Sequence, residues 1–222
     1  MQHYIYVLIS KTPTRFGSVI RKIAHQEYNH ASIALDEDLY YTYAFARKCH
    51  KAPLLGGLVR ESLDRFTLRQ DGQVPVMIFK IPVTNKQYLE IKTWIEEMHN
   101  NHKYVYNLFS VLTYPIFKGF SVKKAFSCIE FVAYILQYLG FLRNKPACKY
   151  KPDDLIVELK DYVWKTADIR DVMTYNANAD AYFAPFSFGL IPRSIAALGR
   201  IIKHGFGLYP NVANLLMFNI SI

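Results

Sequence analysis

Phe126-Ser127-Cys128-Ile129-Glu130-Phe131-Val132 sets a cysteine at the start of a predicted helix. The apolar positions Phe131, Val132, Tyr134, Ile135 and Leu136 carry that helix to Gly140, which serves as its C-cap. A helix start has a positive end and backbone N–H groups without helical partners, so it lowers a thiol's pKa and can receive an oxyanion. Cys128 has that address, a few residues after Lys123 and Lys124, whereas Cys49 and Cys148 lie in loops without such a setting. A cysteine near a helix start is more often a small buried apolar residue, so Cys128 acquires chemical meaning only with a partner base.

The partner must be a histidine held on a rigid element. His30 opens the run Tyr28-Asn29-His30-Ala31-Ser32-Ile33-Ala34-Leu35, whose alternation reads as a strand and fixes the sheet face of each side chain. Asp36-Glu37-Asp38 is a polar turn and Leu39 to Phe45 a second, aromatic strand, so a hairpin is expected. His25, His50, His99, His102 and His204 fall at helix ends, in loops or in polar stretches and read as solvated side chains. His3 is too near the terminus to judge.

Outward from these two stretches, Tyr4 to Ser10 reads as a strand and Thr14 to Ala24 as a helix with Phe16, Val19, Ile20 and Ile23 on one side. Leu54 to Glu61 continues the β-rich region, and Pro75 to Pro82 is a strand bracketed by prolines. Thr84-Asn85-Lys86 opens a packing helix with Tyr88, Leu89, Ile91, Trp94, Ile95 and Met98 on one face. Tyr106 to Tyr114 reads as a shorter helix closed by Pro115, Pro152 starts another, and Asp161 to Thr174 is a strand or irregular. Residues 1–175 are thus expected to form one α+β domain. Residues 176–222 change in composition and read as an apolar and basic appendage, with Arg193 to Lys203 as an amphipathic helix.

The 222 residues are 51% apolar, which excludes wholesale disorder and suffices for one sizeable core. The formal net charge of +9 predicts a face that prefers anionic surroundings. Three cysteines are too few for a disulfide framework and suit a reducing compartment. The amino terminus lacks the cationic segment of a signal peptide, and no window reaches the roughly 18 apolar residues of a membrane span. The expectation is a cytoplasmic protein, with membrane association through the C-terminal segment. Cys49-His50 lacks the second pair a structural zinc needs, and Gly56-Gly57 has no following Lys-Ser/Thr to cradle a nucleotide phosphate. No metal or cofactor is expected, and the scattered basic residues form no nucleic-acid reading motif.

Four stretches in order, Tyr28 to Asp36, Tyr41 to Lys48, Gly56-Gly57-Leu58-Val59-Arg60-Glu61 and Phe126 to Val132, resemble the circularly permuted NlpC-type papain-like cysteine hydrolases. The nearest branch is the YaeF/YiiX-like one, and lecithin:retinol acyltransferases share the permutation, in which the His strand precedes the Cys helix. The likeness spans Tyr4 to Tyr175. It implies a circularly permuted papain-like fold, an antiparallel sheet packed against a helix with the nucleophile at its N-terminus. It implies Cys128 as nucleophile and His30 as general base and later acid. Related enzymes place an orienting polar residue on the next strand, which here lands on Thr42; Glu61, after the Gly-Gly turn, is the rival. Tyr106 would supply a hydroxyl on the oxyanion side.

The function expected from this resemblance is a cysteine hydrolase, either an amidase or thiol protease or else an acyltransferase, acting through a thioester on a peptide or lipid-acyl substrate. Lys123 and Lys124, beside the nucleophile helix in sequence, are expected to bind an anionic group of that substrate. The alternative is a non-catalytic or weakly active module that binds an anionic ligand or a membrane surface, motivated by Thr42 at the orienting position and by the C-terminal segment.

Overall fold

The computed structural model describes residues 2–14, 18, 26–52, 54–176, 180–185, 188–189, 192, 194–196 and 199. Most of the helix expected over Thr14 to Ala24, most of the Arg193 to Lys203 segment, and residues 201–222 lie outside the described residues.

In chain order the elements are β1 (His3–Ser10), β2 (His30–Ala34), β3 (Thr42–Arg47), β4 (Gly56–Arg60), α1 (Leu63–Thr67), β5 (Pro75–Val83), α2 (Asn85–Asn100), β6 (Val105–Tyr106), α3 (Leu108–Leu112), α4 (Tyr114–Phe117), β7 (Ala125–Phe126), α5 (Cys128–Tyr138), α6 (Pro152–Glu158), β8 (Val163–Asp168), α7 (Ile169–Val172) and α8 (Asp180–Phe183). Six strands form one sheet in the order β4-β3-β2-β1-β5-β8, with every neighbouring pair antiparallel. The class is α+β, and the expected hairpin is β2 with β3.

The aromatic and β-branched run of β1 suits a pleated surface, and its alternation buries both faces. Ile5, Val7 and Ile9 join one core with Ile91 and Ile95 of α2 and Phe131, Val132 and Ile135 of α5. Tyr6 and Leu8 join a second core with Phe66 of α1, Ile78 and Ile169. Fully burying an Ile, Leu or Phe is worth about 1.5–3 kcal/mol, so each helical layer holds the sheet face it covers. Thr84 and Gln87 form a reciprocal capping box that fixes the start of α2.

Two local expectations are corrected. Tyr106 belongs to the short strand β6 rather than to a helix, because it pairs with β7. Pro115 does not close a helix but stands in the first turn of α4, where its missing N–H costs nothing. The segment left open as strand or irregular supplies β8, the edge strand beside β5. Among the described residues no helix is long and apolar enough to cross a membrane.

Candidate active site

The start of α5 is held by its own sequence. Ser127 Oγ accepts the Glu130 N–H at 3.1 Å, and Glu130 Oε2 accepts the Ser127 N–H at 3.3 Å, a capping box that puts Cys128 in the first helical position. At the other end Gly140 takes φ +90°, its N–H bonding Gln137 O at 3.0 Å while the Phe141 N–H bonds Leu136 O at 2.9 Å. That pattern is a Schellman stop, which favours glycine. Phe45 of β3 packs against both Phe126 and Phe131, with ring centroids 5.1 and 5.3 Å away, and so clamps the helix start to the sheet.

Tyr106 reaches the same place by strand pairing. β6 and β7 are parallel with Tyr106 opposite Phe126, two residues before Cys128. The chain passes this close because β4 begins with two glycines: a Cβ on Gly56 would stand 2.5 Å from Tyr106 Cβ, and one on Gly57 3.0 Å from Tyr104 O. Burial, and then the charge of Cys128, push the Tyr106 phenol up, so it stays protonated as a hydrogen-bond donor.

The imidazole of His30 lies between a thiol and a carboxylate. His30 Nε2 donates to Glu61 Oε1 at 3.0 Å, and the side chain also hydrogen-bonds Cys128, which leaves Nδ1 for the sulfur. Glu61 in turn accepts from Arg65 Nε at 2.7 Å through Oε2, and Arg65 Nη2 donates to Arg47 O at 3.0 Å. Burial works against a charged imidazole, but the hydrogen bonds to Cys128 and Glu61 outweigh it and push His30 up to about 10. Burial also opposes the Cys128 thiolate, yet the His30 bond and the N–H groups of Ala31 and Ile129 bring the thiol below its ordinary value. For Glu61 burial is again the largest effect and again loses, to Arg65 and His30, which hold its carboxyl at about 2. These directions agree with one another: along Cys128, His30, Glu61 and Arg65 each group favours the charged form of the next.

Cys128, His30, Glu61 and Tyr106 line one cleft of about 70 Å³, together with Asn29, Arg47, Arg65 and Tyr182 among others. Thr42 is not there. It pairs with Ala34 at the far end of β2 from His30, and its hydroxyl donates to Leu39 O at 2.7 Å. Counting along the chain picked the adjacent strand, but antiparallel register sends that position away from the histidine. Lys123 and Lys124 do not line the cleft either; they sit in the turn before β7, Lys124 Nζ 5.4 Å from the Tyr104 ring. Among the described residues, Arg47 and Arg65 are the Lys or Arg side chains that line the cleft.

Arg65, Asn176 and Tyr182 are residues that sequence reading missed. Arg65 carried a signal, its four-residue spacing from Glu61 across the Ser62 N-cap of α1. Tyr182 and Asn176 carried none. Both lie in the expected appendage but pack on the domain: Asn176 Nδ2 donates to the carbonyls of Tyr40 and Glu61, each at 3.3 Å, and the Arg65 guanidinium stacks 4.2 Å from the Tyr182 ring. Residues from the expected appendage thus contribute contacts to the domain, through pairing that composition does not reveal.

Among the described residues no three His, Cys, Asp or Glu side chains are grouped to hold a metal ion. No family model, no curated protein and no solved structure matches this chain.

Proposed function

We propose that this chain is a cysteine hydrolase or acyltransferase of the permuted papain-like kind, with Cys128 as nucleophile, His30 as base and acid, and Glu61 as the group that orients the imidazole. The thiolate attacks the acyl carbon of an amide or ester, and the carbonyl oxygen becomes an oxyanion facing the Cys128 N–H and the Tyr106 hydroxyl. As the tetrahedral adduct collapses, the His30 imidazolium gives its proton to the departing amine or alcohol, leaving a thioester. Water or an acceptor alcohol or amine then loses its proton to His30 and attacks the thioester; the C–S bond breaks, the acyl group leaves on the acceptor, and the thiolate–imidazolium pair is restored. Glu61, held charged by Arg65, keeps the imidazolium favourable throughout.

What carries the reading is the unbroken series from Cys128 through His30 and Glu61 to Arg65, buried yet opening on one cleft. A carboxylate beside His30 answers one of the two reasons for a weakly active binding module, the hydroxyl of Thr42; the other, the Arg193 to Lys203 segment, lies mostly outside the described residues. Arg47 at the cleft favours an acyl donor that bears an anionic group.

The test is alkylation by iodoacetamide across pH, with mass mapping of each cysteine. Cys128 should be labelled well below the ordinary thiol pKa of about 8.5, and the advantage should vanish in His30→Ala. Equal, slow labelling of all three cysteines overturns the reading.

A further inference from the structure

We infer that the α3–α4 protrusion, with the lysines at its base, docks the protein on an anionic phospholipid surface. Three large apolar side chains stand out to solvent within this one stretch, Ile116 at 77% exposure, Phe117 at 58% and Leu112 at 50%. Leu112 and Ile116 share a side of the protrusion, with Phe117 the next residue along, because the helical turn continues across the junction: Thr113 N–H bonds Phe109 O at 2.9 Å and Phe117 N–H bonds Thr113 O at 3.0 Å. Leu112 and Ile116 are therefore one turn apart. Scattered exposed apolar residues need no explanation, but a cluster of them does.

The protrusion is firmly based. Gly119 takes φ +84° where a Cβ would lie 2.0 Å from Cys148 O, so the chain presses against the loop before α6. Tyr114 Oη donates to Lys149 O at 3.2 Å, and Lys149 Nζ donates to Phe117 O at 2.8 Å. Lys151 Nζ sits 5.9 Å from the Tyr114 ring. Lys149 and Lys151 thus stand at the base of the protrusion, and the exposed Lys118 follows Phe117 directly.

Charge along the chain selects the partner. Residues 98–152 contain eight Lys or Arg and a single acid, Glu130, which is 2% exposed and hydrogen-bonded to Ser121. Most of the net charge of the whole chain is therefore concentrated here. A phosphodiester backbone would use the lysines but leave the aliphatic tip in water. A bilayer uses both, with Ile116, Phe117 and Leu112 entering the acyl boundary while lysines meet lipid phosphates and carboxylates. This surface differs from the C-terminal segment expected from sequence to touch membranes, and the inference does not depend on the acyl-transfer reading.

Flotation of the full chain with vesicles of phosphatidylcholine, with and without phosphatidylserine, tests it. The protein should float with the anionic vesicles, less with the neutral ones, and progressively less as salt rises. The double substitution Ile116→Asp with Phe117→Asp should weaken binding about tenfold or more. Lys118→Glu should weaken binding to anionic vesicles and flatten the salt dependence. All three positions are exposed, so unchanged thermal melting separates lost docking from lost fold. The inference is overturned by an absence of flotation, by equal binding to both vesicle types, by flotation of the Asp pair as strong as that of the parent, or by a dimer in solution that the Asp pair dissolves while vesicles are ignored.

Discussion

Glu61 Oε1 and His30 Nε2 stand 3.0 Å apart although thirty-one positions separate them in the chain, and both side chains are nearly sealed from solvent. The other oxygen of the same carboxylate is taken by Arg65 at 2.7 Å. A lone buried carboxylate would be costly, but one held from both sides stays ionised and keeps the imidazole it touches protonated.

Glu61→Gln should therefore raise the pH midpoint of Cys128 alkylation by at least about one unit, since the amide cannot stabilise the imidazolium that holds the thiolate. The buried Arg65 loses its counter-charge, at a cost of about 3–5 kcal/mol in the denaturant-unfolding free energy. Thr42→Val should leave the alkylation profile where it is and cost about 1 kcal/mol for the lost bond to Leu39 O. An unchanged profile in the Gln variant, or a shifted one in the Val variant, would reverse the assignment of the orienting residue.

Glu130 gives a pH dependence of stability with a definite sign. Burial is the largest effect on its carboxyl and pushes it up to about 8, although the Ser121 hydroxyl and the Ser127 N–H pull the other way. In the unfolded chain it titrates near the ordinary glutamate value of about 4.3, so between there and about 8 the folded state holds the extra proton. Its contribution is complete below about 4.3 and is lost as pH rises through about 8. Glu130→Gln, which keeps the capping partners, should be neutral or slightly destabilising at pH 4 and stabilising at pH 8. Chemical denaturation at the two pH values measures the difference; equal shifts would place the titration elsewhere.

Gly56→Ala tests the approach of β4 to β6. The added methyl would meet Tyr106 Cβ at 2.5 Å and Ala46 O at 2.9 Å, so the strand carrying Tyr106 must move. A loss of about 1–3 kcal/mol is expected, together with slower Cys128 alkylation as the cleft is distorted. A thermal melt matching that of the parent would mean the strands have slack.

Tyr182→Ala removes a wall of the cleft that also stacks on Arg65 and accepts the His50 N–H through its carbonyl at 2.8 Å. The backbone bond survives the substitution while the ring does not. Stability should fall by about 1 kcal/mol, and a bulky maleimide should gain several-fold on iodoacetamide at Cys128. If the ratio of the two reagents stays fixed, the ring does not limit access.

Short-range pattern was enough to place Cys128 at a helix start and His30 at the head of a hairpin strand, because N-caps, alternation and helical spacing are properties of a few consecutive residues. The Gly-Gly pair was also visible, though not the strand that needs its missing side chains. What tertiary structure alone decided is who stands beside whom. Register turned Thr42 away from His30, a buried ion pair joined Glu61 to Arg65, and Asn176 and Tyr182 packed against residues more than a hundred positions earlier. Lys123 and Lys124, next to Cys128 in sequence, fell outside the cleft for the same reason. Neighbours across strands and layers are chosen by pairing and burial between distant segments, and no local window of sequence contains both partners.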